Sequence, residues 1–165
     1  MDRHLPFEDE LTALLPRLRR FAHALARSPS DADDLTQMTV ERAIRSRSQW
    51  QPGTRLDSWL YRIMRNIWID TVRSRARKEK FEAPPEEADS IGVDPTGGME
   101  ASMDLQRVMA AMQRLPEEQR EVVALILIEG FGYREAAEML DLPIGTVSSR
   151  LVRGRTALLA MVGEQ

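Results

Sequence analysis

The stretch FGYREAAEMLDLPIGTVSSRLVRGR, residues 131–155, constrains the fold more tightly than any other part of the chain. Ala136, Ala137 and Leu140 repeat at helical spacing, and the small pair lets a second helix approach closely. Asp141-Leu142-Pro143 then reads as a turn: Asp tolerates left-handed φ, Leu142 points inward, and Pro143 favours a helix start just after it. The next helix buries Val147 and Leu151 and turns Ser148, Ser149, Val152 and Arg153 outward, with Arg150 and Arg155 beside them. This is a helix-turn-helix whose second helix carries hydroxyls and guanidiniums. Such groups suit base edges and phosphates, and none is arranged for bond-breaking chemistry. The plainer alternative is a helical hairpin with a solvated Arg face. The coincidence of small pair, turn and basic face favours DNA.

The remaining chain carries helical periodicity without any strand period or internal repeat, which predicts an all-α protein. Its 165 residues suit one average domain or two small helical ones. Leu11, Leu14, Leu15, Leu18, Phe21, Ala22 and Leu25 mark a first helix over 8–27, with Pro16 expected to kink it or mark a second start. Ser28-Pro29-Ser30 is a break, with Ser30 as the expected N-cap of a second helix running to Ser46. That helix is predicted to bury Leu35, Met38, Thr39, Ala43 and Ile44 and to show Asp34, Gln37, Glu41, Arg42 and Arg45. After the loop Trp50-Gln51-Pro52-Gly53-Thr54, with Thr54 as cap, comes a long third helix. Trp59, Leu60, Ile63, Met64, Ile67 and Val72 form its apolar stripe, while Arg62, Arg65, Arg73, Arg75, Arg77, Lys78 and Lys80 make it basic. Cations near a helix C-terminus are routine, but interleaved with Trp59, Tyr61 and Trp68 they favour a nucleic-acid surface.

Residues 81–103 hold three Pro, three Gly and a run of acids, and read as a flexible acidic linker. The organisation is therefore 1–80, linker 81–103, and 104–165, the last containing the helix-turn-helix. In this second domain Leu105, Val108, Met109 and Met112 are the expected buried stripe, Pro116 the first position of the next helix, and Val122 to Ile128 its core. The net charge of −3 hides an uneven distribution. Residues 1–80 carry 16 Lys/Arg against 11 Asp/Glu, whereas 81–104 carry seven acids and no base. Local basic surfaces survive.

Several classes are excluded. With no Cys there is no disulfide, thiolate metal site or cysteine nucleophile. No metal cluster or Gly-rich phosphate loop occurs, and the two His are isolated, so neither an enzyme nor a cofactor is expected. No apolar run is long enough for membrane insertion, and MDRHLPFEDE lacks the apolar core of a secretory signal. A cytoplasmic protein is expected, and with ten residues after Arg155 no additional C-terminal domain is expected.

Three blocks in order, DADDLTQMTVERAIR, SWLYRIMRNIWIDTVR and LPEEQREVVALILIEGFGYREAAEMLDLPIGTVSSRLVRGR, resemble a bacterial RNA polymerase sigma factor of the extracytoplasmic-function group. The resemblance implies a promoter-specificity subunit, with 1–80 as sigma region 2 and 104–165 as region 4. It implies docking on the β′ clamp helices through Asp34 and Gln37, with Arg42 nearby, and on the β flap. It places Trp50, Gln51, Thr54 and Arg55 of the loop, together with Asn66, at a flipped base of the −10 element. An unstacked base needs a cavity, a stacking partner and an amide, and Trp50 serves either as that partner or in the core. Arg62, Arg65 and Arg73 of the basic helix would line the same DNA. Ser148, Ser149, Val152 and Arg153 would read the −35 element, with Arg150 and Arg155 nearer phosphates. An anti-sigma partner is implied as well. Two departures stand out: Asp141 occupies a turn position where the family usually has Gly, and Ser148 one where a basic residue is common. A conventional two-domain regulator binding duplex DNA alone is the competing reading. The basic third helix counts against it.

Overall fold

A computed structural model describes residues 6–81 and 100–163. The described residues are helical, without strands: α1 (Phe7–Leu25), α2 (Pro29–Arg45), α3 (Leu56–Phe81), α4 (Glu100–Gln113), α5 (Glu117–Val123), α6 (Tyr133–Leu140) and α7 (Ile144–Gly163). A short 3₁₀ turn, Arg47–Gln49, follows α2, and a widened π turn, Ala124–Ile128, prolongs α5. The linker expected over 81–103 lies largely outside the described residues, although α4 begins at Glu100, ahead of the expected Asp104.

The first three helices form one unit. Pro16 leaves α1 a single helix, because its missing N–H costs one hydrogen bond while Leu11, Leu18, Phe21 and Leu25 stay buried on either side. The N-cap of α2 is Ser28, not Ser30: Ser28 Oγ accepts from the Asp31 N–H at 3.1 Å, and Pro29 sits at the first helical position, where no N–H is needed. The buried face of α2 is Ala32, Leu35, Thr36, Thr39 and Ala43. Met38 and Ile44, expected inside, are about half exposed because each stands one residue, roughly 100° of helix, off that stripe. Thr54 does not cap α3. Its hydroxyl turns back to donate to the Gln51 carbonyl at 2.6 Å, and Asp57 in the first turn accepts the Ser58 N–H instead.

In the second unit, Pro116 is the N-cap of α5 and Glu117 starts the helix, so Pro116 stands one position earlier than expected. Gly130, at φ +80°, lets the chain leave the π turn. Asp141 adopts φ 54° and ψ 49°, the left-handed turn expected between the two helices of the motif. Where α5 crosses α7, Gly154 is required: a Cβ there would lie 2.7 Å from Val123 Cγ2. Leu105 is exposed, while Val108 and Met109 are half-buried and Met112 is fully enclosed. Only the end of α4 faces the core.

The two units do not merely follow one another. Leu18, Phe21, Leu60, Tyr61 and Met64 of the first join Met112, Val122, Leu125 and Phe131 of the second in one continuous core. Tyr61 is packed edge-on between Phe21 and Phe131, with ring centroids 4.8 and 5.3 Å away.

Candidate nucleic-acid interface

The outer face of α7, expected to carry base-reading groups, is mostly exposed. Val147 and Leu151 are buried on the inner side of α7, in the same core as Ala136, Ala137 and Leu140 of α6. Ser149, Val152, Arg153 and Arg155 are exposed, and Ser148 and Arg150 half-buried. Pro143 accepts from the N–H groups of Thr146 and Val147, so α7 begins at once after the turn and projects its first turns outward. An open cleft of about 370 Å³ separates the starts of α5 and α7 and is lined by Gln119, Thr146, Ser149, Arg150 and Arg153. Its hydroxyls and guanidiniums offer donors and acceptors together, the mixture that base edges require. Glu118 stands 3.8 Å from Arg150 at the rim, too long to hold it firmly.

Residues expected at the −10 strand divide into two groups. Trp50 and Trp59 both pack on Phe7, with centroids 5.7 and 6.3 Å away, and the Trp50 indole N–H is buried without a partner among the described residues. Gln51, Thr54 and Arg55 are exposed beside them, in a loop that Gly53 turns at φ +93°. Asn66 is exposed seven residues beyond Trp59, on nearly the same line of α3 and about 10 Å along its axis. Arg73 is exposed near the far end.

The second group meets the other half of the molecule. Arg55 pairs with Asp57 at 2.9 Å and with Glu135 of α6. Arg62 donates to the Glu138 carbonyl at 3.0 Å, and Arg65 Nε to Glu121 at 3.0 Å. Tyr61 and Trp68, expected among the cations of the DNA surface, are buried instead, at 1% and 4% exposure. Tyr61 belongs to the shared core, and the Trp68 indole donates to Glu117 at 3.2 Å. Helical spacing cannot separate an aromatic facing DNA from one facing a second domain.

Two buried polar residues were missed by sequence reasoning. Glu129, its side chain fully enclosed, accepts Arg20 Nε and Nη2 at 2.9 and 2.8 Å and the Tyr61 hydroxyl at 2.8 Å, with Arg17 3.7 Å away. Burial first, then that hydrogen bond, pushes the Tyr61 phenol far above its ordinary range. Arg120 lies in α5 and donates to the carbonyls of Leu25, Met112 and Leu115 at 3.1, 3.0 and 2.9 Å. Burial lowers its guanidinium pKa. For Glu129 the only sequence signal was a charge next to an apolar run; Arg120, set among Glu117, Glu118 and Glu121, offered none.

The face of α2 expected to meet polymerase is open: Asp34, Gln37 and Arg42 are exposed, and Met38 and Ile44, expected inside, are exposed beside them. Among the described residues no group of His, Cys, Asp and Glu could hold a metal ion, and no helix is long and apolar enough to cross a membrane.

A basic helical unit followed by an outward-facing helix-turn-helix defines a two-part DNA-binding transcription factor, and the comparisons narrow it. Residues 11–78 match the Sigma-70 region 2 family and residues 105–158 the Sigma-70 region 4 family. The chain is 36% identical over 154 residues to the ECF RNA polymerase sigma factor EcfG of Rhodopseudomonas palustris (strain TIE-1), covering 93% of this chain and 83% of that protein. It is 39% identical over 158 residues to the ECF RNA polymerase sigma factor SigE of Mycolicibacterium smegmatis (strain ATCC 700084 / mc(2)155), covering 93% of this chain and 61% of that protein. The fold matches the sigma factor RpoE of Bartonella quintana, solved in complex with the anti-sigma factor NepR, with a TM-score of 0.78 and 29% identity over 96% of this chain and 98% of that one. The chain belongs to the extracytoplasmic-function group of RNA polymerase sigma factors, which direct core polymerase to particular promoters.

Proposed function

We propose that this sigma factor acts in the cytoplasm through three separate faces. Residues 1–80 form region 2, which engages core polymerase through Asp34, Gln37 and Arg42 on α2. Arg55, Arg62, Arg65, Asn66 and Arg73, with the Trp50–Thr54 loop, take the melted −10 strand. Residues 104–165 form region 4, which reads the −35 duplex through Ser148, Ser149, Val152 and Arg153, with Arg150 and Arg155 on phosphates, and docks on the β flap. The factor initiates transcription without catalysing a reaction of its own. An anti-sigma protein holds it inactive, as the complex of the Bartonella quintana relative suggests.

The observation that carries this reading is the separation of polar faces. The outer face of α7 is exposed over Ser149, Val152 and Arg153 while Val147 and Leu151 hold the helix from beneath. On α2, likewise, a polar face with Met38 and Ile44 at its edge is left free by a fully packed opposite side. The test is the double variant Asp34→Ala with Gln37→Ala. It keeps its melting temperature, yet loses co-elution with core polymerase and promoter-specific transcription. A folded double variant that co-elutes and initiates at wild-type levels removes α2 as the docking face.

A further inference from the structure

The loop proposed to take the −10 strand buries little of itself. Gln51, Pro52, Gly53, Thr54 and Arg55 are all exposed. The Thr54 N–H and hydroxyl both donate to the Gln51 carbonyl, at 3.2 and 2.6 Å, which closes these residues into a turn that can shift as one body. At its downstream end the turn runs into buried Leu56 and Asp57. At its upstream end it hangs from Trp50, whose backbone N–H donates to the Arg47 carbonyl at 3.2 Å and whose ring packs on Phe7.

The Trp50 ring is held by packing alone. Its indole N–H is buried without a partner among the described residues, so no polar bond fixes the ring, and the buried donor favours a conformation that returns it to water. Phe7 opposes that escape. It is 8% exposed, lies 5.7 Å from Trp50 at a tilt of 50°, and meets Trp59 of α3 edge-on at 6.3 Å. Arg47, in the turn just before Trp50, stands 5.1 Å from the Phe7 centroid and pairs with neighbouring Glu8. The support is itself fixed: the Pro6 carbonyl accepts the N–H groups of Asp9 and Glu10 at 2.9 and 3.0 Å, which sets the first turn of α1. Phe7 lies outside the residues 11–78 that match the Sigma-70 region 2 family.

We propose that Phe7 is a positioning residue for the −10 strand: with Trp59 it keeps Trp50 inside, and Trp50 in turn presents Gln51 to Thr54 in the geometry that captures the unstacked base. Trp50 then works from beneath the loop as its anchor and not as a stacking partner. This rests on the assignment of the Trp50–Thr54 loop to the −10 strand proposed above. A loop fixed before binding loses less conformational freedom on capture, so the frame raises affinity without adding a contact. A displaced loop meets every base alike, so the choice of base follows the fraction of loops held in place.

The experiment uses holoenzyme assembled from core polymerase and the full-length chain, with promoters randomised at the −10 element. Phe7→Leu keeps an apolar side chain but removes the aromatic faces, Phe7→Met is a second aliphatic variant, and Phe7→Tyr retains the ring. In the aliphatic variants the advantage of the preferred −10 base should fall about tenfold, as when the competent loop drops to about a tenth of the population. Their −35 motif and co-elution with core polymerase should stay as in wild type, and Phe7→Tyr should select as wild type does. In the free chain, 5-fluorotryptophan at the three Trp positions gives a fluorine resonance for Trp50, identified by its loss in Trp50→Phe. That resonance should gain a solvent isotope shift in Phe7→Leu, while that of Trp68 does not. Folded aliphatic variants with wild-type base preference overturn the proposal, as does lost preference with Trp50 still shielded, or Phe7→Tyr as impaired as Phe7→Leu. If neither aliphatic variant folds, Phe7 serves stability and the proposal falls. Asn66→Ala, run alongside, separates this frame from the reading beneath it. A downstream motif that Asn66→Ala alters and Phe7→Leu does not refutes the frame alone, whereas a wild type that selects no downstream motif removes the −10 assignment itself.

Discussion

Arg120 is the side chain whose loss is expected to do most damage for its size. It is 5% exposed and donates at 3.1 Å or less to Leu25, Met112 and Leu115, with a weaker contact to Gln113 at 3.4 Å. Hydrogen bonds to a charged group are worth about 1.5–3 kcal/mol each, and three good ones therefore give about 4.5–9 kcal/mol. Removing the guanidinium also relieves a desolvation cost of several kcal/mol, which leaves a net loss of about 3–5 kcal/mol for Arg120→Ala. That is a large share of a folding free energy of about 5–15 kcal/mol. Arg120→Lys keeps the charge but reaches fewer carbonyls in a fixed fork, so its loss should be about half as great. Urea unfolding followed by circular dichroism measures both. Because Leu25 belongs to α1, the loss should appear in the shared transition of the two units and not in the second alone. A loss below about 1 kcal/mol for the alanine variant would show that water replaces the guanidinium at no cost and would refute the reasoning.

Other outcomes follow from the same geometry. Arg153→Ala should cost about 1–3 kcal/mol on the cognate −35 duplex and relax one base position, whereas Arg150→Ala should weaken all sequences alike and flatten the salt dependence; equal losses on cognate and scrambled duplexes for Arg153→Ala would remove it from base reading. Asn66→Ala should alter preference at one non-template base, read by 2-aminopurine fluorescence, with core binding intact. The Arg75 hydrogen bonds hold the Asp31 carboxyl below its ordinary range; for Asp57 burial pushes the pKa up, but Arg55, the Ser58 N–H and Arg17 together outweigh it and leave the carboxyl below its ordinary range. A depressed folded pKa gives stability present above the unfolded value of about 3.9 and lost as pH falls through the folded value. Unfolding curves of wild type and Asp31→Asn should therefore differ at neutral pH and converge on acidification below about pH 4. A difference that persists there would exclude the ion pair as its source. Gly154→Ala should cost about 1–3 kcal/mol, because its methyl meets Val123 Cγ2 in the α5–α7 crossing; an unchanged melting temperature would show that the crossing can give.

What the sequence made legible was local. Helices around Leu11 to Leu25, Leu60 to Ile67 and Val147 to Leu151 could be read because each repeats apolar residues at one period against one neighbour. The turn at Asp141 could be read because few residues tolerate its backbone. Met38, Ile44 and Leu105 were misplaced for a different reason. Each is apolar and near the buried stripe, and only the packed partner decides which edge of a stripe is covered. Tyr61, Trp68, Arg120 and Glu129 were invisible as a group because their roles come from contacts between residues about 50 to 110 positions apart. Exposed Ser149, Arg153 and Arg155 of α7 were the easier case, since a helix that buries Val147 and Leu151 shows much of its opposite side.

As proposed above, this chain gives core polymerase a promoter preference made of two elements. The direct measurement is transcription in vitro by core polymerase and the full-length protein on a promoter library randomised upstream of the start site, with the transcribed templates sequenced. Two enriched motifs at a fixed spacing near −35 and −10, absent without the protein, are expected. Arg153→Ala should blur only the upstream motif, and Asn66→Ala only the downstream one. Enrichment of a single motif, or of none beyond what core polymerase selects alone, would contradict it.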